Sequence, residues 1–210
     1  MFRGRLKYLV GVCGATAVVA IGLATAFAAN SPTGAVSAPS EAVARLGSAA
    51  RADFRVFSLP QAGSEEVGQV SEALKGLDTK LDLSSVRVAQ ASGDLQVRVV
   101  GDSQSVCLTL RIPGELDGGG CSPEADAAAP ATPIIMTTGY PPGESSGPGG
   151  QRAVGVLFPD GISVATVTAA SGSRRTLDIV NNTVAFVADD GDVLSWSGPE
   201  GHVYNSAIGG

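Results

Sequence analysis

From Val86 onward the chain is written in short alternating runs of apolar and polar residues, each closed by a turn signal. That grammar restricts the fold more than anything else in the sequence, because a period of two puts successive side chains on opposite faces of a strand. Val86–Ala91, the turn Ser92-Gly93-Asp94 and Leu95–Val100 make a first hairpin. Gly101-Asp102-Ser103-Gln104 then turns into Ser105–Ile112. Leu95, Val97 and Val99 share one face, as do Val106, Leu108, Leu110 and Ile112 in the next run. In the C-terminal part the runs are Ala153–Phe158, Ile162–Thr168, Arg174–Val180, Thr183–Ala188, Asp192–Trp196 and His202–Asn205. Pro159-Asp160-Gly161, Ser171-Gly172, Asn181-Asn182 and Asp189-Asp190-Gly191 separate most of them, and such dipeptides are the residues of tight reversals. The expectation is a mainly β protein, an antiparallel sheet or sandwich with a C-terminal meander and one or two short helices.

The helical signals lie before Val86. Ser40 is placed to cap a short helix over Glu41–Ala50. A second helix is expected from Ser64 to about Leu77, with Glu65 and Glu66 in its first turn. Val67, Val70, Leu74 and Leu77 form a stripe along it that would cover a sheet. Between the two, Phe54–Pro60 changes to period two and reads as an edge strand, with Phe54 and Val56 on one side and Phe57 on the other. Pro113–Gly150 is dense in Gly and Pro and reads as a long loop, interrupted by one short strand at Pro133–Thr138.

The N-terminus gives the address. Arg3, Arg5 and Lys7 precede an uncharged run from Tyr8 to Ala29 that ends in Ala24-Thr25-Ala26-Phe27-Ala28. A basic start, an apolar middle and an A-x-A close make a signal segment. The run also reaches the length of a spanning helix, about 20 residues. Cleavage near Ala26–Ala29 would release a chain beginning at Phe27, Ala29 or Asn30. Retention would anchor it with the C-terminus outside. Cys13 is not a lipoprotein site, because Val12 stands where a small residue is needed. The domains are therefore 1–29, signal peptide or transmembrane anchor; 30–53, stalk and short helix; and 54–210, one β-rich extracytoplasmic domain carrying the 113–150 loop.

Composition narrows the partners. The whole chain has a net charge of −6, and losing the basic start makes it more acidic still. Phosphate backbones are repelled, so nucleic acid is disfavoured. Contact with a membrane is expected only through residues 8–29, if uncleaved. With 44% hydrophobic and 16% charged residues, general disorder is excluded. Beyond the leader two cysteines remain, Cys107 and Cys121. In an oxidising compartment an isolated pair reads as a disulfide rather than half a metal site, since the sole histidine is the distant His202.

No constellation for catalysis is legible. A hydrolytic triad needs a nucleophile, a base and an orienting acid, but no G-x-S-x-G surrounds any serine and His202 stands near the C-terminus. Asp189-Asp190-Gly191-Asp192 lacks the EF-hand spacing and reads as a turn. The glycine-rich loops lack the G-x-x-x-x-G-K-[ST] context that holds phosphate. Aromatics are 5% of the chain and Trp196 is the single tryptophan, a poor supply of platforms for sugar rings. Asn181-Asn182-Thr183 matches a glycosylation sequon but also suits a turn.

Several of these elements together resemble a known pattern. Val156-Leu157-Phe158-Pro159-Asp160-Gly161-Ile162, followed by Val180-Asn181-Asn182, is similar to the "V-P-D-G-V" and "V-x-N-N-V" turns of uncharacterised exported proteins of high-GC Gram-positive bacteria. Val106-Cys107-Leu108 with Gly118–Cys121 resembles their "V-C-L" strand and "G-G-G-C" run, and Phe54–Pro60 their "F-x-V-L-x-x-P" segment. Phe57 and Phe158 stand where that pattern has aliphatics. The resemblance covers roughly residues 54–188 and implies a shared fold and export, with no activity attached.

These readings converge on a non-catalytic, exported or membrane-anchored module of the cell envelope that displays its 113–150 loop to a protein or polymer partner, with no cofactor and no metal. The alternative is a secreted hydrolase, whose signature would be a pocket lined by two carboxylates beside Trp196 or Tyr140.

Overall fold

In the computed structural model, residues 52–77, 81–112, 118–140 and 150–209 are described. The expected leader (1–29), the stalk and the helix at Glu41–Ala50 lie outside them. The protein is mainly β, as its alternation implies. Strands β1 (Arg87–Ser92), β2 (Leu95–Gly101), β3 (Ser105–Arg111) and β4 (Gly118–Pro123) form one antiparallel sheet in the order β1-β2-β3-β4. Strands β5 (Ile134–Tyr140), β6 (Gln151–Leu157) and β9 (Thr183–Asp189) form a second, ordered β5-β6-β9. Strands β7 (Val164–Thr168), β8 (Arg174–Asp178), β10 (Val193–Ser197) and β11 (Val203–Ala207) form the third, ordered β11-β10-β7-β8. We call them the disulfide sheet, the middle sheet and the open sheet.

The three are stacked. Leu95, Val97 and Val99 of β2 and Leu108 and Leu110 of β3 face Ala153, Leu157 and Ala185 of the middle sheet. On the middle sheet's other side Val154, Val156, Val184 and Phe186 meet Ala165, Val167, Leu194 and Trp196 of the open sheet. A strand covered on both faces must be apolar at every position rather than at alternate ones. Ala153-Val154-Gly155-Val156-Leu157 is such a run, and all of it is buried.

Helix α1 (Ser64–Ala73) adds a fourth layer. Val70 and Leu74 of its stripe pack on Val86, Val100 and Cys107, on the face of the disulfide sheet turned away from the middle sheet. Leu77, expected to continue the stripe, lies beyond the helix and is 43% exposed. Arg98 lies under α1, fully buried. It donates from Nη2 to Gln69 Oε1, and Arg111 Nη1 donates to the same oxygen at 3.2 Å. A buried guanidinium is tolerable only when its donors are met, and the helix supplies one of the acceptors.

The structure corrects three expectations. Phe54–Pro60 is not an edge strand: Arg55–Ser58 makes a single 3-10 turn, and Phe54, Val56 and Phe57 are all buried. The 113–150 stretch is not one loop, because 118–140 holds β4, a short helix α2 (Glu124–Ala127) and β5. The Gly118-Gly119-Gly120 run is strand, paired with β3, and its neighbours press closely on two of the three glycines. A Cβ on Gly119 would lie 2.5 Å from Leu74 Cδ2, and one on Gly120 would lie 2.9 Å from Met136 Sδ. Lastly, the C-terminal strands are not a simple meander. β7–β8 and β10–β11 are hairpins, but β6 pairs with β5 and β9, and β7 with β10. The Pro159-Asp160-Gly161, Asn181-Asn182 and Asp190-Gly191 turns therefore carry the chain from one sheet to another. A turn dipeptide reverses the chain locally and does not dictate whether its flanking strands pair.

Candidate functional site

The motifs that stood out in the sequence meet at one corner of the sandwich. Asn181 and Asn182 have φ of 48° and 67°, the left-handed pair of a type I′ turn, which Asn tolerates better than most residues. Val180 and Thr183 close that turn with two backbone hydrogen bonds of 3.0 and 2.9 Å. The turn hands the chain from β8 in the open sheet to β9 in the middle sheet. Asn182 is buried, and its side chain works in both directions. Oδ1 accepts from the Val56 N–H at 2.8 Å, and Nδ2 donates to Asp160 Oδ1 at 2.7 Å. Asp160 Oδ1 also accepts from the Arg55 N–H at 3.2 Å, and the Asp160 N–H donates to Asp53 O at 2.8 Å. Three segments far apart in sequence are thus tied by one amide and one carboxylate. Every polar contact of Asn182 is internal, so the cluster is a structural clasp.

The clasp sets the position of the Pro159–Gly161 turn, and that turn opens onto a groove beside Trp196. The groove, about 480 Å³, runs along the outer face of the open sheet. Register builds its floor: Ser195 lies opposite Thr166 and Asn205, and Thr176 of β8, opposite Thr166, continues the row outside the groove's lining. Directly opposed residues of an antiparallel pair share a face, so Asn205, Ser195, Thr166 and Thr176 make a row of short polar side chains across all the strands. Ser195 Oγ donates to Asn205 Oδ1 at 2.7 Å. Val164 (46% exposed) and Val203 (64% exposed) flank the row, with Arg174 at one end. Among the described residues no carboxylate lines the groove.

Trp196 does not present its ring to that groove as a platform. Its partners across the strands, Ala165 and Tyr204, lie on the inner face of the sheet. The indole is buried and stands edge-on to Phe158 at 5.6 Å and stacked with Tyr204 at 5.9 Å. Nε1 donates to Pro130 O at 2.7 Å, so Trp196 fastens the segment after α2 to the open sheet.

The other singled-out residues have mostly structural surroundings. Cys107 and Cys121 form the expected disulfide between directly opposed residues of β3 and β4. As the alternation implied, Cys107 lies on the face opposite its apolar neighbours, but α1 covers that face and Cys107 is fully buried. His202 is exposed (72%), with Glu200 at 3.9 Å. Around the Asp189–Asp192 turn, Asp190 Oδ1 accepts from Arg152 Nε at 2.8 Å and Asp192 Oδ2 accepts from the Asp189 N–H at 3.2 Å. Among the described residues no cluster of His, Cys, Asp and Glu could hold a metal ion, and no helix is long and apolar enough to cross a membrane.

Sequence reasoning missed the groove. Its signal was the Thr166-x-Thr168, Ser195-x-Ser197 and Val203-x-Asn205 alternation, which marks a solvent face but not its shape. No family model matches this chain, and neither does any curated protein or solved structure.

Proposed function

We propose that this chain is a non-catalytic, exported or membrane-anchored module of the cell envelope that holds a partner on the outer face of the open sheet. The observation that carries the reading is the composition of that face. It lines the groove with hydroxyl and amide groups between exposed valines and, among the described residues, with no carboxylate to serve as acid, base or nucleophile; Asp178 shares the face but stands outside that lining. Carboxylate-based hydrolysis needs two such groups flanking the reacting bond, and the groove beside Trp196 offers none. Because Trp196 is turned inward, the groove also lacks an aromatic platform, which favours a protein partner over a glycan. The disulfide supports the extracytoplasmic address, since such bonds persist in oxidising compartments. So does the basic, apolar, A-x-A pattern of residues 3–28.

The test is capture from the native envelope with the wild-type chain beside Thr166→Arg/Ser195→Arg, which fills the groove floor with long cations. A partner retained by the wild type and lost by the variant supports the reading. Capture that is indifferent to the groove overturns it. Turnover of an envelope polymer that disappears on replacing one carboxylate would establish the hydrolase instead.

A further inference from the structure

We propose that two copies of this chain join edge to edge through β8, making the open sheet continuous across a twofold axis at Thr176. Among the described residues β8 is an edge strand, paired only with β7. The hydrogen bonds on either side of that pairing, Ala169 N–H to Ser173 O and Ile179 N–H to Ser163 O, set its phase. Bonded pairs alternate with unbonded ones in an antiparallel ladder. Arg175 and Leu177 therefore turn their backbone groups toward β7, while Arg174, Thr176 and Asp178 turn theirs to the free edge. All of these last three are exposed.

A twofold axis through Thr176 sets Thr176 opposite its own copy and Arg174 opposite Asp178 of the second chain, twice. The outward N–H and C=O groups of all three residues then meet in register. The side chains agree with that register. Arg174 and Asp178 have no ion-pair partner among the described residues. Four residues apart on a strand, roughly 13 Å, they cannot reach each other within one chain. Across the axis each gains an opposite charge, and cross-strand pairs of this kind, like Thr beside Thr, stabilise a sheet. Charged edge residues normally repel a second strand. Here the order Arg174, Thr176, Asp178 reverses its sign about the centre, so it selects one register with a second copy and disfavours others. The sheet's other edge, β11 from Val203 to Ala207, carries no charge and offers no such selection. This inference is independent of what the groove binds.

Sedimentation of the purified full-length chain in mild detergent should show a dimer that weakens as salt rises, since exposed ion pairs are screened. Arg174→Asp alone and Asp178→Arg alone each turn two attractive contacts into repulsive ones, and each should raise the dissociation constant roughly tenfold or more. The double variant Arg174→Asp/Asp178→Arg restores opposite charges at both contacts and should recover the dimer, which also shows that the single variants do not act by unfolding. Thr176→Cys should cross-link two chains under oxidation, with the bridge mapped between two copies of the same peptide. A chain that stays monomeric across the micromolar range overturns the proposal. So does a dimer indifferent to both charge swaps, which would place the contact elsewhere, β11 included.

Discussion

Two four-stranded antiparallel sheets flank the same middle sheet, yet only one keeps its outer face in water. On the disulfide sheet that face carries Val100, Cys107 and Arg98, and α1 covers it. On the open sheet it carries Thr166, Ser195 and Asn205, and the groove lies over it. The burial of the strands records the difference: β2 and β3 are buried along almost their whole length, whereas β7, β10 and β11 alternate. Equivalent sites in the two sheets are therefore subject to opposite constraints. One outer face is a second core, and the other is free of that packing constraint.

The sharpest way to break the comparison is to place the same charge on each outer face. Val100→Asp buries a carboxylate beneath α1 and should cost about 4 kcal/mol or more, seen as a large loss of midpoint in urea unfolding. Thr166→Asp, at the corresponding place on the open sheet, should change stability by no more than about 0.5 kcal/mol. Comparable losses at the two sites would mean that the open sheet is covered in solution.

Removing the disulfide with Cys107→Ala/Cys121→Ala comes next. The bond closes a separation of 14 residues, and opening a loop of that length should cost roughly 3 kcal/mol. Hydrogen exchange should rise first in β3, β4 and α1 and leave the open sheet protected. A uniform rise over all three sheets would show that they unfold as one unit.

At the corner between the middle and open sheets, Asn182→Ala removes the acceptor for the Val56 N–H and places a Cβ-bearing residue without Asn's local compensation at φ 67°. The expected loss is about 2 kcal/mol. Asn182→Gly keeps the conformation and loses only the hydrogen bonds, so it should fall between wild type and Ala. An equal loss for both would assign the whole effect to the hydrogen bonds. The smallest effect belongs to His202→Ala, within about 0.5 kcal/mol, because the ring is exposed.

Much of this architecture was legible. Leu95, Val97 and Val99 share the core face that their spacing implied, as do Val106, Leu108 and Leu110. The stripe Val67, Val70 and Leu74 required a sheet to cover, and it has one. What escaped the sequence depended on contacts between distant segments. Phe54, Val56 and Phe57 read as alternating but are all buried, because one helical turn seats them at the end of the core. Gly118–Gly120 read as loop, since nothing local reveals that Leu74 and Met136 press on β4. Arg98 and Thr109 are polar residues set within alternating runs, yet both are fully buried, and Gln69 of the covering helix meets Arg98. The groove was illegible for a different reason: alternation tells which residues point outward but not which ones register brings side by side.

The clasp at Asn182 also has a bearing on time. Asn182 reaches the Val56 N–H across 126 positions of sequence, whereas β1 to β4 pair each with the next strand along the chain. Contacts between neighbours form early, and those that close long loops wait for chain entropy to be overcome. The disulfide sheet can therefore assemble while the remaining strands are still being synthesised. The clasp itself cannot close until β8, the Asn181-Asn182 turn and β9 exist, although Phe54, Val56 and Phe57 share a core with the disulfide sheet. The seating of Phe54, Val56 and Phe57 can thus begin on the disulfide sheet, but the Val56 N–H stays unmet until the corner amide arrives.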